Sequence, residues 1–138
     1  MVQEEYINFE TAKLLKDKGF DEICYLGYNV NGAYFPTSNR SNSQIIQPDF
    51  CFICCPTQQH VMRWMREAHN LFIEIQCYSV DNDFNYSYVV YRQLKNLRGK
   101  EYGIGKHSYL RKEKGKSQFR SYEEACEEAI KYCLINLI

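Results

Sequence analysis

"LFIEIQCYSVDNDFNYSYVVYRQL", residues 71–94, is the stretch whose reading decides the fold class. Ile73, Ile75 and Cys77 alternate with Glu74 and Gln76, the period-2 pattern of a strand that buries one face and wets the other. Residues 86–94 carry the same aromatic and β-branched bias. Between the two runs, DNDFN (81–85) gathers Asp and Asn, which tolerate left-handed backbone and favour turns. Strands this close in sequence must run antiparallel, because a parallel return needs a crossover of about a dozen residues or more.

Working back from this hairpin, Thr57 or Pro56 starts a helix that reaches about His69. Val61, Trp64, Met65 and Ala68 fall at i, i+3, i+4 and i+7, one helical face. FCFICC (50–55) is a short buried strand ended by Pro56. TSNRSNSQIIQPD (37–49) is rich in Ser and Asn and reads as a mobile surface loop. EICYLGYN (22–29) and GAYFP (32–36) are strands flanking NVNG, where Asn31-Gly32 supplies hairpin chemistry. A first helix runs from Phe9 to Lys18, with Asn8 as N-cap and Gly19 ready for the left-handed position that ends it.

Working forward, residues 95–120 contain one or two short basic strands around IGKHSYLRK, with their tip near Gly115. The last helix, SYEEACEEAIKYCLINLI (121–138), opens with a capping box of Ser121 and Glu124. Tyr122, Ala125, Cys126, Ala129, Ile130, Cys133, Leu134 and Leu137 form its apolar stripe. The predicted order is α-β-β-(β)-α-β-β-(β)-α. Its fold class is α+β, an antiparallel sheet of hairpin-linked strands with three helices, on a single domain of residues 1–138.

Three of these segments, INFETAKLLKDKGFDE, PTQQHVMRWMREAHNLFIEI and SYEEACEEAIKYCLINLI, resemble small uncharacterised proteins carried by phages and prophages of gut Bacteroidales. The resemblance covers the three helices and the strand after the second, about half of the chain. It implies a phage or prophage origin and the architecture, and it carries over no catalytic residue. From Thr57 onward the order is also similar to that of a double-stranded-RNA-binding domain. That family places lysines at the start of its last helix, where this chain has SYEEACEE, which would repel phosphate.

Length and composition set wide bounds. A chain of 138 residues with 45% hydrophobic and 25% charged residues needs no metal or disulfide to build a core. MVQEEYINFE lacks the basic and apolar regions of a signal peptide, and YCLINLI is far too short to span a bilayer. Seven Cys without a signal peptide point to free thiols in a reducing cytosol, here that of a host cell. The Tyr-rich, apolar composition is compatible with a two-fold homodimer.

The cysteines and histidines carry no recognisable chemistry. Cys51-x-x-Cys54 has the spacing of half a zinc site, but no second close pair completes it. Cys24, Cys77, Cys126 and Cys133 are isolated in sequence, so all seven are expected to be small apolar core residues, with no metal and no cofactor. His60, His69 and His107 are scattered and read as surface or capping residues. Glu123, Glu124, Glu127 and Glu128 fall on the solvated face of the last helix. No nucleophile elbow, zinc-protease motif or phosphate loop is present, so no catalytic residue is assigned and the expectation leans away from an enzyme.

Charge is the one uneven feature. The net charge is zero, yet residues 92–120 hold 10 Lys/Arg against 2 Asp/Glu. The candidate ligand-binding residues are Arg98, Lys100, Tyr102, Lys106, His107, Tyr109, Arg111 and Lys112. Cations attract phosphate and aromatic faces stack on bases, so the expected partner is anionic: a nucleotide, a nucleic acid or an acidic protein surface. The plainer reading of the block is a solvated edge hairpin whose lysines prevent edge-to-edge aggregation. The expected function is that of a small accessory binding protein, with a nucleotide signal and a counter-defence role in view. The alternatives are a nucleic-acid-binding protein using residues 92–120 and an enzyme acting on a nucleotide or phosphoester.

Overall fold

A computed structural model of the chain describes residues 4–44, 52–95, 101–107 and 119–138, with side chains undescribed at 80, 93–95 and 101–107. The elements are α1 (Phe9–Asp17), β1 (Cys24–Tyr28), β2 (Tyr34–Arg40), β3 (Ile53–Cys54), α2 (Gln58–His69), β4 (Leu71–Val80), β5 (Asp83–Lys95), β6 (Glu101–His107) and α3 (Tyr122–Asn136). This is an α+β fold with antiparallel, hairpin-linked strands and three helices in the expected order. The strands form two sheets, ordered β2-β1-β3 and β4-β5-β6. The chain divides into two compact units, Met1–Val61 with Lys131–Ile138, and Met62–Ile130.

The first unit is built on α1 and the β2-β1-β3 sheet. The Asn8 side chain accepts from the Thr11 N–H at 2.9 Å and caps α1. At the other end Phe20 N–H donates to Leu15 O and Gly19 N–H to Lys16 O, with Gly19 at φ +87°. This is a Schellman termination, which a residue with a Cβ would resist. The helix buries Thr11, Ala12 and Leu15. Ile7, Phe20 and Tyr28 are also buried, and the Tyr28 hydroxyl donates to Ile7 O at 2.5 Å. Lys18 Nζ donates to the main-chain oxygen of Ile138 at 2.7 Å.

The first hairpin turns through Asn31 and Gly32, with Val30 as a third loop residue. Asn29 N–H donates to Ala33 O, so the loop is the three residues Val30, Asn31 and Gly32, and Gly32 adopts φ +79°. The Asn29 side chain accepts from the N–H groups of Asn31 and Ala33, which fixes the loop from inside.

The polar run after it is more ordered than its composition suggests. The part of the expected 37–49 loop that is described, 37–44, belongs to β2 and a 3-10 turn, Asn42–Gln44. Thr37 donates through its hydroxyl to Cys24 O. Asn42 donates to Phe20 O and accepts from Cys54 N–H, and Ser43 bonds Asp21 through both its N–H and its hydroxyl. Residues 45–49 lie outside the described residues.

A bulge shapes β1. Cys24 pairs with Arg40 and Leu26 with Pro36, so three residues of β2, Thr37, Ser38 and Asn39, face the single residue Tyr25. Ser38 and Asn39 both have positive φ. Bulges bend the strand they interrupt. At the centre of the sheet stands Gly27. A Cβ there would lie 2.9 Å from the Thr37 methyl, 3.0 Å from Ile53 O and 3.3 Å from the Phe35 ring.

The second unit is built on a regular hairpin. All ten residues of β4 pair in register with β5, from Leu71 opposite Arg92 to Val80 opposite Asp83. The turn is the two residues Asp81 and Asn82, at φ +50° and +67°, and the expected five-residue turn 81–85 is corrected to these. Positive φ at both central positions matches the right-handed twist of the strands, so both strands extend down to the turn. Ser87, Tyr88, Val89 and Val90 are all buried, which covers both faces of β5.

Three burial expectations shift. Trp64, Met65 and, from the first unit, Val61 are buried on α2, but Ala68 is exposed and Met62 is buried in its place. Ile73 and Ile75 are half-buried and Cys77 is exposed, because β4 is an edge strand of its sheet. On α3, Tyr122 is 39% exposed and Leu137 half-buried, while Ala125 through Leu134 of the stripe are fully buried. The capping box forms: Ser121 Oγ accepts from Glu124 N–H, while the Glu124 carboxylate reaches back to Arg120 N–H.

Candidate functional site

The basic block begins on β5 and continues on β6. Register places Lys106 opposite Tyr91, His107 opposite Val90, Gly105 opposite Arg92, Ile104 opposite Gln93 and Glu101 opposite Lys95. A register shift falls between Gln93 and Lys95. Of the eight candidate residues, Tyr102, Lys106 and His107 lie on β6. Arg98, Lys100, Tyr109, Arg111 and Lys112 lie outside the described residues, as do Lys114, Lys116 and the expected tip at Gly115. After the block the chain rejoins β5, where Phe119 exchanges both backbone bonds with Tyr86 at 2.9 Å. Arg120, next to it, is exposed.

The described surroundings of Arg92 hold residues that sequence reasoning kept apart. Leu71, at the start of β4, stands opposite Arg92, and His69 is the last residue of α2. The His69 ring meets Trp64 edge-on, with centroids 4.6 Å apart. Burial, and then the nearby Arg92 charge, push the His69 pKa down, so the imidazole is neutral at pH 7. His69 is therefore a half-buried packing residue beside a cation, rather than a surface histidine. On the same strand the Tyr91 hydroxyl donates to Glu74 at 2.7 Å, and that carboxylate raises the Tyr91 pKa. Trp64 is only 7% exposed and presents no stacking face to a base. The adjacency of His69 and Arg92 follows from hairpin register, which no local pattern encodes.

The first unit gathers a second group of reactive side chains. Cys24, Cys54 and Cys55 are buried, and their thiols donate to the carbonyls of Glu22, Arg40 and Ile7. The neighbouring Cys54 thiol, and then burial, push the Cys24 pKa up, while Cys24 in turn lowers that of Cys54. Cys24 is thus not isolated in the fold, although it is in the sequence. Cys126 and Cys133 are buried as expected, with burial pushing Cys126 up to about 11, while Cys51 lies outside the described residues. Among the described residues no group of three His, Cys, Asp or Glu is arranged to hold a metal ion. His60, in the first turn of α2, sits 2.6 Å from the Glu22 carboxylate and edge-on to Phe20, and so ties α2 to the segment after α1.

No helix among the described residues is long and apolar enough to cross a membrane. No protein-family model matches the chain, and neither the curated proteins nor the solved structures include a significant match to it.

Proposed function

We propose that the protein is a non-enzymatic accessory protein of phage or prophage origin, acting in the host cytosol by binding a phosphate-bearing partner along residues 92–120. The observation that carries this reading is the charge of that segment, 10 Lys/Arg against 2 Asp/Glu in a chain of zero net charge. Such a concentration raises the local density of anions and speeds their capture. Its described part is consistent with such a surface. Arg92 on β5 is next to Tyr91, which pairs with Lys106, and two positions from Val90, which pairs with His107; Gly105 opposite Arg92 brings no side chain to that position, and Lys95 faces Glu101. A compact nucleotide is the favoured ligand, taken between cationic and tyrosine side chains, with Tyr102, Lys106 and Tyr109 as anchors.

Calorimetric titration at low salt tests the proposal, run with single- and double-stranded DNA, RNA and a panel of linear and cyclic nucleotides. A compact ligand gives saturable binding that Lys106→Ser weakens at least tenfold, while polymers bind poorly. A polymer partner instead gives affinity that falls steeply with salt, by about 0.7–0.9 in log K per log unit of salt for each phosphate neutralised. Changing Arg111, Lys112, Lys114 and Lys116 together to Ser would then flatten that slope. Uniformly negative titrations overturn both and leave the segment as a solubility device or a protein-binding surface.

A further inference from the structure

β4 is the outer strand of its sheet, and among the described residues its far side pairs with nothing. Two observations fix where its backbone groups point. Val80 and Asp83 flank the two-residue turn, so they exchange the closing bonds, and hydrogen-bonded pairs alternate along the ladder from there. Independently, Tyr86, opposite Cys77, exchanges both of its backbone bonds with Phe119, on the side of β5 away from β4. Both place the N–H and C=O groups of Ile73, Ile75, Cys77 and Ser79 on the free edge. Leu71 belongs to the same set but is wholly buried. Sheet edges are normally guarded by Pro, Lys, irregular register or shortness. β2 carries Pro36 and the extra residues at Ser38 and Asn39, and β3 is two residues long. β4 has no Pro, Lys or Arg, an unbroken register over ten residues, and Glu74 as its one charged side chain.

We infer that a second copy of this chain docks on that edge, β4 against antiparallel β4, and joins two three-stranded sheets into one. Register and charge both select a second copy. A two-fold axis normal to the sheet keeps every side chain on its own face, so the axis must pass through a residue rather than between two. The accessible edge runs from Ile73 to Ser79, and its middle residue is Gln76. With the axis there, Ile73 faces Ser79 of the second copy and Ile75 faces Cys77. Each such pair exchanges two backbone bonds between the groups that point outward. In the alternate pairs Glu74 faces Tyr78, and Gln76 faces Gln76. The charge on the edge therefore meets a hydroxyl and not a second carboxylate, so no like charges oppose each other. Ile73 and Ile75, half-buried at an open edge, gain a neighbouring strand. β6, with Lys106 and His107, stays at the outer margins of the joined sheet, so the interface is separate from the basic segment.

The test uses the full chain under reducing conditions. Sedimentation velocity over two decades of concentration should show a monomer–dimer equilibrium. Gln76 is exposed and opposes its own copy, so Gln76→Lys and Gln76→Glu should each weaken the dimer at least tenfold through like-charge contact. An equimolar mixture of the two variants should recover a dimer at least as tight as that of the wild type, with one copy of each. Cys77, exposed and opposite Ile75 of the second copy, has the other Cys77 as its diagonal neighbour at about 7–8 Å. A short bismaleimide should therefore link the two. Cleavage after Arg66 and Arg92 puts Cys77 in peptide 67–92 as its sole cysteine, so the product is that peptide joined to itself. A wild type that stays monomeric, a dimer indifferent to both variants, a mixture that does not recover, or a dimer with no link at Cys77 would each overturn the inference. So would a dimer strengthened by Gln76→Lys, which would place Gln76 opposite Glu74. Sedimentation and cross-linking of the wild type decide the matter even where a Gln76 variant fails to fold.

Discussion

Replacing Gly27 by Ala should destabilise the protein, against the usual direction for glycine in a strand. An unstrained Gly→Ala change gains about 0.4–1 kcal/mol by restricting the unfolded chain. Here the new methyl would meet the Thr37 methyl at 2.9 Å and Ile53 O at 3.0 Å. Neither neighbour yields easily. Ile53 O is backbone of an edge strand paired to β1, and rotating Thr37 would break its hydroxyl bond to Cys24 O. Overpacking of this kind costs about 1–3 kcal/mol, so the net loss is about 1–2 kcal/mol. At roughly 4 °C per kcal/mol for a chain of this size, Tm falls by about 4–8 °C. Thermal and guanidinium unfolding of Gly27→Ala measure it. Thr37→Ser removes the clashing methyl and keeps the hydroxyl, so the double variant should recover at least about 0.5 kcal/mol relative to additivity. A Gly27→Ala protein that melts at or above the wild type would refute the packing argument. A double variant that is merely additive would show that the carbonyl, and not the methyl, sets the cost.

Four further outcomes are expected. Leu134→Ala, at a fully buried position, costs about 2–5 kcal/mol in a denaturant melt, while Ile135→Ala beside it, 60% exposed, stays within about 0.5 kcal/mol; equal losses would show that the α3 stripe is misassigned. His69 has a pKa lowered by burial and by Arg92, so the folded state binds fewer protons than the unfolded one; stability should fall as pH drops below about 6.5, and His69→Gln should flatten Tm against pH between 7 and 5. Asp21 is held below the usual carboxylate range by the Ser43 hydroxyl and then the Ser43 N–H; its small contribution is present at neutral pH and lost on acidification, and Ser43→Ala should raise the Asp21 pKa in an NMR titration. With Cys24, Cys54 and Cys55 donating to carbonyls as thiols, a chelator should leave Tm unchanged, and one zinc per chain by elemental analysis would overturn that assignment.

Features set by a few consecutive residues were legible in the sequence. Asn8 and Gly19 bound α1, Ser121 and Glu124 cap α3, and alternation marks β4, because each is a local bond or a local period. The sequence pattern led astray where a single residue's backbone angle mattered. Asp81 and Asn82 carry the β4–β5 turn alone, so DNDFN overstates its length. In residues 37–44 the Ser and Asn side chains that suggest a loop instead bond Asp21, Phe20 and Cys54, and these partners are distant in sequence. Of the candidate site, the charge of residues 92–120 was plain from composition. The neighbours of Arg92 depend on register, which leaves no mark on local composition.

The two-residue turn between β4 and β5 has a consequence for the order in which the molecule assembles. Its ten cross-strand pairs join residues only 3 to 21 positions apart, so each closes a short loop and gives up little chain entropy. The pairs of the other sheet are less uniform: Tyr28 must find Ile53 across 25 positions. The β4–β5 hairpin therefore closes at less cost than the β1–β3 pairing, on the microsecond scale of isolated hairpins. Substitutions at Asn82 should slow refolding, because the turn is already made at the barrier. Substitutions at β3 should instead hasten unfolding and leave the refolding rate nearly unchanged.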